Sequence, residues 1–409
     1  MLCASALLPA PAAPAAATGS GYDFADGARR VDGADGTADA ERLVPGTTYR
    51  SSLPSGGKVY YRLELDDASS TYVAATAVPR PGSTIAVVDG IKVSVQDTEG
   101  RSCSFDTASF GAARSPHPVA AWGMREISPG KPLCQQAGTY YVSVERVEPA
   151  DSSPGTWDLE LTVASEPRPA KAGATGPPGA WDSASPEPVG GRAERRPGGG
   201  GFETAAAVGQ GAWRADIAPG GTLFYKVPVD WGQQLSATAE LGSANGGGYG
   251  VSALHLSLYN PARGHVQDSS VGYDGAQKAT SLAPVPPVQH ANRHAATEQV
   301  NTVRFAGSYY LVVHLAEEVA DGFGEGPFAL TLRVRVRGAA QPGPDYAGEP
   351  EPRGLFEVTE QDRQAAAEGG TAEGDRAMTA LAAGGIGTGS ALLVGLGVWT
   401  VVARRRAAS

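Results

Sequence analysis

Reactive and metal-binding side chains are scarce in this chain. Of 409 residues only 3 are cysteine and 6 are histidine. His290 and His294 lie four residues apart, but Ala291-Asn292-Arg293 between them lacks the glutamate of a zinc-protease helix. No G-x-S-x-G elbow, GxxxxGK[ST] phosphate loop or dinucleotide fingerprint occurs, so the usual hydrolase and nucleotide-binding signatures are missing. Basic residues number 33 against 43 acidic ones, and the formal charge of -10 with no Lys/Arg-rich face argues against nucleic acid. No catalytic, cofactor-binding or metal-binding residue stands out, and the expectation is a protein that is not an enzyme. A hydrolase would need a cleft that brings histidines and carboxylates together.

What the chain does have is concentrated at its ends and in repeated strands. From Ala377 to Ala403 there is no charged side chain, and Arg404-Arg405-Arg406 follow. A helix crosses the hydrocarbon core with about 20 apolar residues, and arginines past its end favour the cytoplasmic face. This reads as a single-pass anchor in the cell membrane, with the N-terminal domains extracellular and the C-terminus cytoplasmic. Gly385 and Gly389 form a GxxxG pair through which two such helices could weakly self-associate. At the other end, Leu2 to Leu8 followed by Ala15-Ala16-Ala17 looks like a signal peptide, with no basic residue ahead of its apolar run. A leader truncated at its start, or a disordered alanine-rich tail, explains that. Cys3 falls in this leader, which leaves Cys103 and Cys134 to form one disulfide in an exported protein, or else two separate thiols.

Alternation with period two dominates between the ends. Lys58–Asp66, Thr71–Thr76, Ile91–Gln96, Gly138–Val144 and Thr156–Val163 each read as strands with one buried and one wet face. Four of these recur in order: Gly220–Val227, Leu254–Tyr259, Ala306–Val313 and Gly326–Val334 match at an offset near 165 residues. An internal duplication follows. In the paired aromatics Tyr60-Tyr61 and Tyr140-Tyr141, one ring must face inward and the other outward.

The fold expected is therefore all-β, with two β-sandwich domains in tandem plus one C-terminal transmembrane helix. Its segments are a signal peptide at 1–19, a first sandwich at 20–165 and a flexible Pro/Gly linker at 166–208. A second sandwich at 209–337, an acidic Pro/Gly/Ala stalk at 338–376, the membrane helix at 377–403 and a basic tail at 404–409 complete the chain. Trp122 and Trp231 are the candidate binding aromatics, since exposed indoles stack on sugars or on a partner's apolar patch; local packing is the alternative for each. His255 and His314, on the polar faces of strands, read as solvent-exposed.

The strands Gly57-Lys58-Val59-Tyr60-Tyr61-Arg62-Leu63 and Ala137-Gly138-Thr139-Tyr140-Tyr141-Val142-Ser143-Val144, entered from Leu43-Val44-Pro45-Gly46, resemble the bacterial pre-peptidase C-terminal domain family. Gly221–Val227 and Ala306–Val313 carry the same marks, and the high Ala, Gly, Arg and Pro content is of actinobacterial type. The resemblance implies compact, non-catalytic, jelly-roll-like β-sandwiches of the kind attached to secreted enzymes, although no peptidase domain accompanies them here. The expected partner is another envelope protein or a wall polysaccharide, with no cofactor. The alternative is a structural or accessory subunit of a membrane complex.

Overall fold

The computed structural model describes residues 21–128, 130–147, 152–171, 173, 175–187 and 189–368. The expected signal peptide, the expected membrane helix and basic tail, and the Gly385/Gly389 pair lie outside these residues. Among the described residues no helix is long and apolar enough to cross a membrane.

The first unit contains β1 (Arg29–Arg30), β2 (Glu41–Arg42), β3 (Thr48–Leu53), β4 (Lys58–Leu65), β5 (Ser69–Val78), β6 (Gly90–Asp97), β7 (Ser102–Ser109), β8 (Val119–Arg125), β9 (Gly138–Val147) and β10 (Trp157–Pro167). The second contains β11 (Glu194–Arg195), β12 (Ala206–Ala207), β13 (Gly211–Ile217), β14 (Thr222–Val229), β15 (Gln234–Leu241), β16 (Gly250–Tyr259), β17 (His265–Tyr273), β18 (Lys278–Ser281), β19 (Gly307–Leu315) and β20 (Phe328–Arg337). Short helices α1 (Glu298–Asn301) and α2 (Val319–Phe323) flank β19, and α3 (Glu360–Glu368) closes the described chain.

Each unit is a pair of five-stranded sheets. In the first, sheet I runs β1-β3-β10-β5-β8 and sheet II runs β2-β4-β9-β6-β7. In the second, sheet III runs β11-β13-β20-β15-β18 and sheet IV runs β12-β14-β19-β16-β17. Adding ten to each strand number of the first unit reproduces the second. The antiparallel pairs β3/β10, β4/β9, β5/β8 and β6/β7 nest inside one another and alternate between sheets, which is a jelly-roll winding. The four sequence matches correspond to β4/β14, β6/β16, β9/β19 and β10/β20.

Alternation builds each core. Tyr61, Leu63, Val93, Val142 and Val144 from sheet II meet Val73, Ala75, Leu159 and Leu161 from sheet I, all essentially without solvent exposure. Leu256, Leu311 and Val313 do the same with Ala239, Leu330 and Leu332 in the second unit. Burying side chains of this size stabilises by about 1.5–3 kcal/mol each before conformational entropy is set against it.

The expectation of one wet face per strand fails for the two inner sheets. Nearly every residue of β5 is buried, and β16 and β19 are buried on both faces over most of their length. The reason is that sheet I packs face to face on sheet IV, so the molecule is a four-layer stack in the order II, I, IV, III. Ala120 of sheet I joins Phe224, Tyr259 and Val312 of sheet IV in one apolar cluster. Tyr72, Ala74 and Trp122 join Ala262, Phe305 and Phe356 in another.

Two segment assignments are also corrected. The linker expected at 166–208 is anchored at both ends: β10 extends to Pro167, while Phe202 and Ala205–Val208 are buried in the second unit. The described part of the stalk expected at 338–376 packs back as a strap. Tyr346 bridges to Pro169 and Glu351 to Ser165, Phe356 is buried against Phe305 with rings 4.5 Å apart, and Arg363 bonds Asp230 at 2.9 Å. Acidic, Pro/Gly-rich composition concealed the few apolar anchors, Phe356, Ala365 and Ala366, that hold it down.

Candidate functional site

The structure joins Cys103 to Cys134 in a disulfide, as the pairing predicts. It ties the edge strand β7 to the loop that follows β8.

The two nominated tryptophans are buried. Trp122 is 2% exposed, stacked on Tyr72 with ring centroids 5.5 Å apart, and lies so close over Gly264 that a Cβ there would come within 2.5 Å of the indole. Trp231 is 8% exposed, covered by the strap at Gly343. Both pack locally, because the inter-unit contact and the strap cover them. Neither cover could be read from strand periodicity.

Three acid–arginine pairs cross between the units, and in each the acid belongs to the first unit. Glu160 meets Arg263 at 2.5 Å, Glu126 meets Arg304 at 2.5 Å, and Glu166 accepts two bonds from Arg293 at 2.7 and 3.2 Å. All six side chains are less than a tenth exposed. Burial alone would raise the carboxyl pKa of Glu126 and Glu166; the facing arginines override it, and both are held below the ordinary value. The remaining acceptor sites are used as well. Tyr72 and Tyr346 donate to Glu166, and Tyr22 and the Ala25 amide donate to Glu160.

A cleft of about 350 Å³ opens between β7, the 107–113 segment and the start of β8 on one side and β16 and β17 on the other. Histidines gather along it and behind it. His117 of the first unit stacks on His314 of the second with centroids 4.4 Å apart and meets His255 edge-on at 6.0 Å. His255 Nε2 lies 3.0 Å from one oxygen of Asp268, and His265 Nε2 lies 3.4 Å from the other. Hydrogen bonds from His255 and His265 hold the Asp268 carboxyl well below the usual range. Burial depresses His117 to about 4 and His314 well below its ordinary value. The sequence reading of His255 and His314 as solvent-exposed is corrected here: the His314 residue is 2% exposed and the His255 side chain 22%.

Partners fix the tautomers. His314 Nδ1 lies 3.0 Å from the Gly221 carbonyl, which can only accept, so Nδ1 carries the hydrogen and Nε2 accepts from the Ser115 hydroxyl at 2.8 Å. A serine bonded to a histidine is the start of a nucleophilic pair. Ser115 is only 1% exposed, however, does not line the cleft, and its oxygen already accepts the Glu317 amide. It pins the units together. Among the described residues no group of three or more His, Cys, Asp or Glu is arranged to hold a metal ion.

The other feature is an open surface. On the outer face of sheet II the register places Tyr60, Ser143, Ser94 and Phe105 in one row across β4, β9, β6 and β7. Arg62, Tyr141 and Gln96 form the next row, and Lys58, Glu145, Lys92 and Thr107 the row on the other side. Four strands at about 4.8 Å spacing set the end rings of the first row about 14 Å apart. Phe105 is 63% exposed, with the Lys92 ammonium 4.7 Å from its ring centre, and Tyr60 and Tyr141 are half-buried. Ser94 and Ser143 bond each other at 2.9 Å between them. In the second unit the positions equivalent to Tyr60 and Tyr141 are Phe224 and Tyr310. Phe224 is 1% exposed, and Phe202 packs edge-on against both rings. One face is thus closed by the first unit and the 202–207 segment, while its duplicate is left open. The paired tyrosines signalled these outward rings, but Phe105, in a strand of serines and threonines, was missed.

No family model matches the chain, and no curated protein matches it in sequence. Solved structures with distant likeness include the N-terminal CBM22-1-CBM22-2 tandem domain from Paenibacillus barcinonensis Xyn10C, at 11% identity over 70% of this chain and 85% of that one, TM-score 0.19. The tandem CBM51 modules of Sp3GH98 from Streptococcus pneumoniae SP3-BS71 match at 8% identity over 73% and 85%, TM-score 0.19. The CUB1-EGF-CUB2 domain of human MASP-1/3 matches at 10% identity over 70% and 99%, TM-score 0.17. Likeness this weak says nothing about what the chain binds.

Proposed function

We propose that this chain is a non-catalytic, extracytoplasmic binding protein, held at the membrane by 377–403, that presents the open face of its first sandwich to a cell-envelope polysaccharide. The observation that carries this reading is the uncovered row of Tyr60 and Phe105, with Tyr141 beside it, while Phe224, the duplicate of Tyr60, is sealed inside the molecule. A sheet face that sets rings beside amide and charged groups offers stacking and hydrogen bonds to a linear sugar chain lying across the strands. The disulfide fits an oxidising compartment.

Each ring that stacks contributes about 1 kcal/mol. The triple variant Tyr60→Ala, Tyr141→Ala, Phe105→Ala should therefore bind isolated cell-wall polysaccharide at least tenfold more weakly than the unaltered chain, with an unchanged melting temperature. Equal retention of both would refute the polysaccharide reading. A stoichiometric protein companion recovered from detergent-solubilised membranes in that case would identify an accessory subunit.

A further inference from the structure

We propose that the cleft between the units is a second binding site, separate from the open face, for a small neutral polyhydroxylated ligand of monosaccharide size. Its volume of about 350 Å³ lies at the lower end of the range for small-molecule sites, and it sits between two domains, where such sites concentrate.

The lining specifies the ligand. His117 Nδ1 lies 2.8 Å from the Ser115 carbonyl and must donate to it, which leaves Nε2 as a bare lone pair. That nitrogen has no hydrogen-bond partner in the protein, although the residue is only 8% exposed and lines the cleft. Asp268 supplies a carboxylate already oriented by His255 and His265, and its oxygens have lone pairs to spare. Ser109, Ser252 and Ser270 add hydroxyls that both donate and accept. Phe110 and Tyr259 supply ring surface. A cavity rich in acceptors, with rings at its sides, matches a ligand that brings several O–H donors on an apolar carbon frame. An anion would meet Asp268.

The groups that define the site come from both units, so the ligand would touch the inter-unit seam. Its binding does not depend on the open face.

The test uses the full chain in detergent with carbon-13-labelled histidine, the ring signals assigned from single His variants. Glucose, galactose, mannose and N-acetylglucosamine are titrated in turn. At least one should shift the His117 and His255 signals saturably with Kd below about 10 mM, an affinity of only about 3 kcal/mol. His117→Phe keeps the stacked ring and removes the acceptor, and should weaken binding at least tenfold. Asp268→Asn, at a half-exposed position, should do the same if the first variant fails to fold. The open-face triple variant should bind as the unaltered chain does. Failure of all four sugars to move the His117 signal overturns the proposal. So does binding that survives both cleft variants, and loss of that binding in the triple variant would place the sugar on the open face.

Discussion

Arg304 is 1% exposed at its side chain and faces Glu126 at 2.5 Å across the seam between the units. Removing one member of such a pair strands the other charge in a dry environment, which costs about 3–5 kcal/mol, whereas replacing both with apolar groups is often neutral. Arg304→Met should lower unfolding stability by that amount in urea melts, and Glu126→Leu combined with it should recover a large part. His117 makes a pH-dependent contribution. Its folded pKa of about 4 is below the ordinary 6.5, so between those values the unfolded chain binds more protons and stability must fall as pH drops. From about pH 7 to about pH 5 the loss from this one ring is about 2 kcal/mol. The stability difference between the unaltered chain and His117→Phe should shrink by that amount over the same interval. None of this was visible in the sequence, where Glu126, Arg304 and His117 are isolated polar residues and only the third dimension pairs them.

At the level of elements, the sequence disclosed β4, β5, β6, β9 and β10 and, by the repeat, β14, β16, β19 and β20. β4, β6 and β9 alternate cleanly because sheet II has solvent on one side. β3, β7, β8, β13, β15, β17 and β18 were missed: β7 and β8 carry serine, threonine and alanine, and the others are short or hold few large apolar residues. The strap defeated composition for a different reason, since one ring can dock a segment that is otherwise polar. Phe356→Ala should cost about 3 kcal/mol and, by loosening the strap, speed tryptic cleavage after the already exposed Arg353 in limited proteolysis, with the rest of the fold intact. The disulfide closes a loop with a sequence separation of 31. Replacing both cysteines by serine should lower stability by about 4 kcal/mol in the chain-entropy account, read from denaturant midpoints in oxidised and substituted protein.

For the whole molecule, the duplication was legible because matched strands kept their order, while the docking of the copies was not, because inter-unit packing leaves no periodic mark. A seam with two aromatic clusters, three buried ion pairs and a histidine stack does not behave as a loose linker between beads. Calorimetry should show one unfolding transition whose van't Hoff and calorimetric enthalpies agree. Two resolved transitions would mean that the seam opens before either sandwich melts.

The seam joins unlike partners, since sheet I of the first copy is the counterpart of sheet III, and sheet IV is the counterpart of sheet II. Gene doubling therefore produced a rod with a head and a tail instead of a twofold object. Sheet II caps one extremity with rings, and sheet III caps the other with Arg333, Arg335 and Arg337 on β20. Parting the two copies would turn the aromatics sealed on sheet IV out to water.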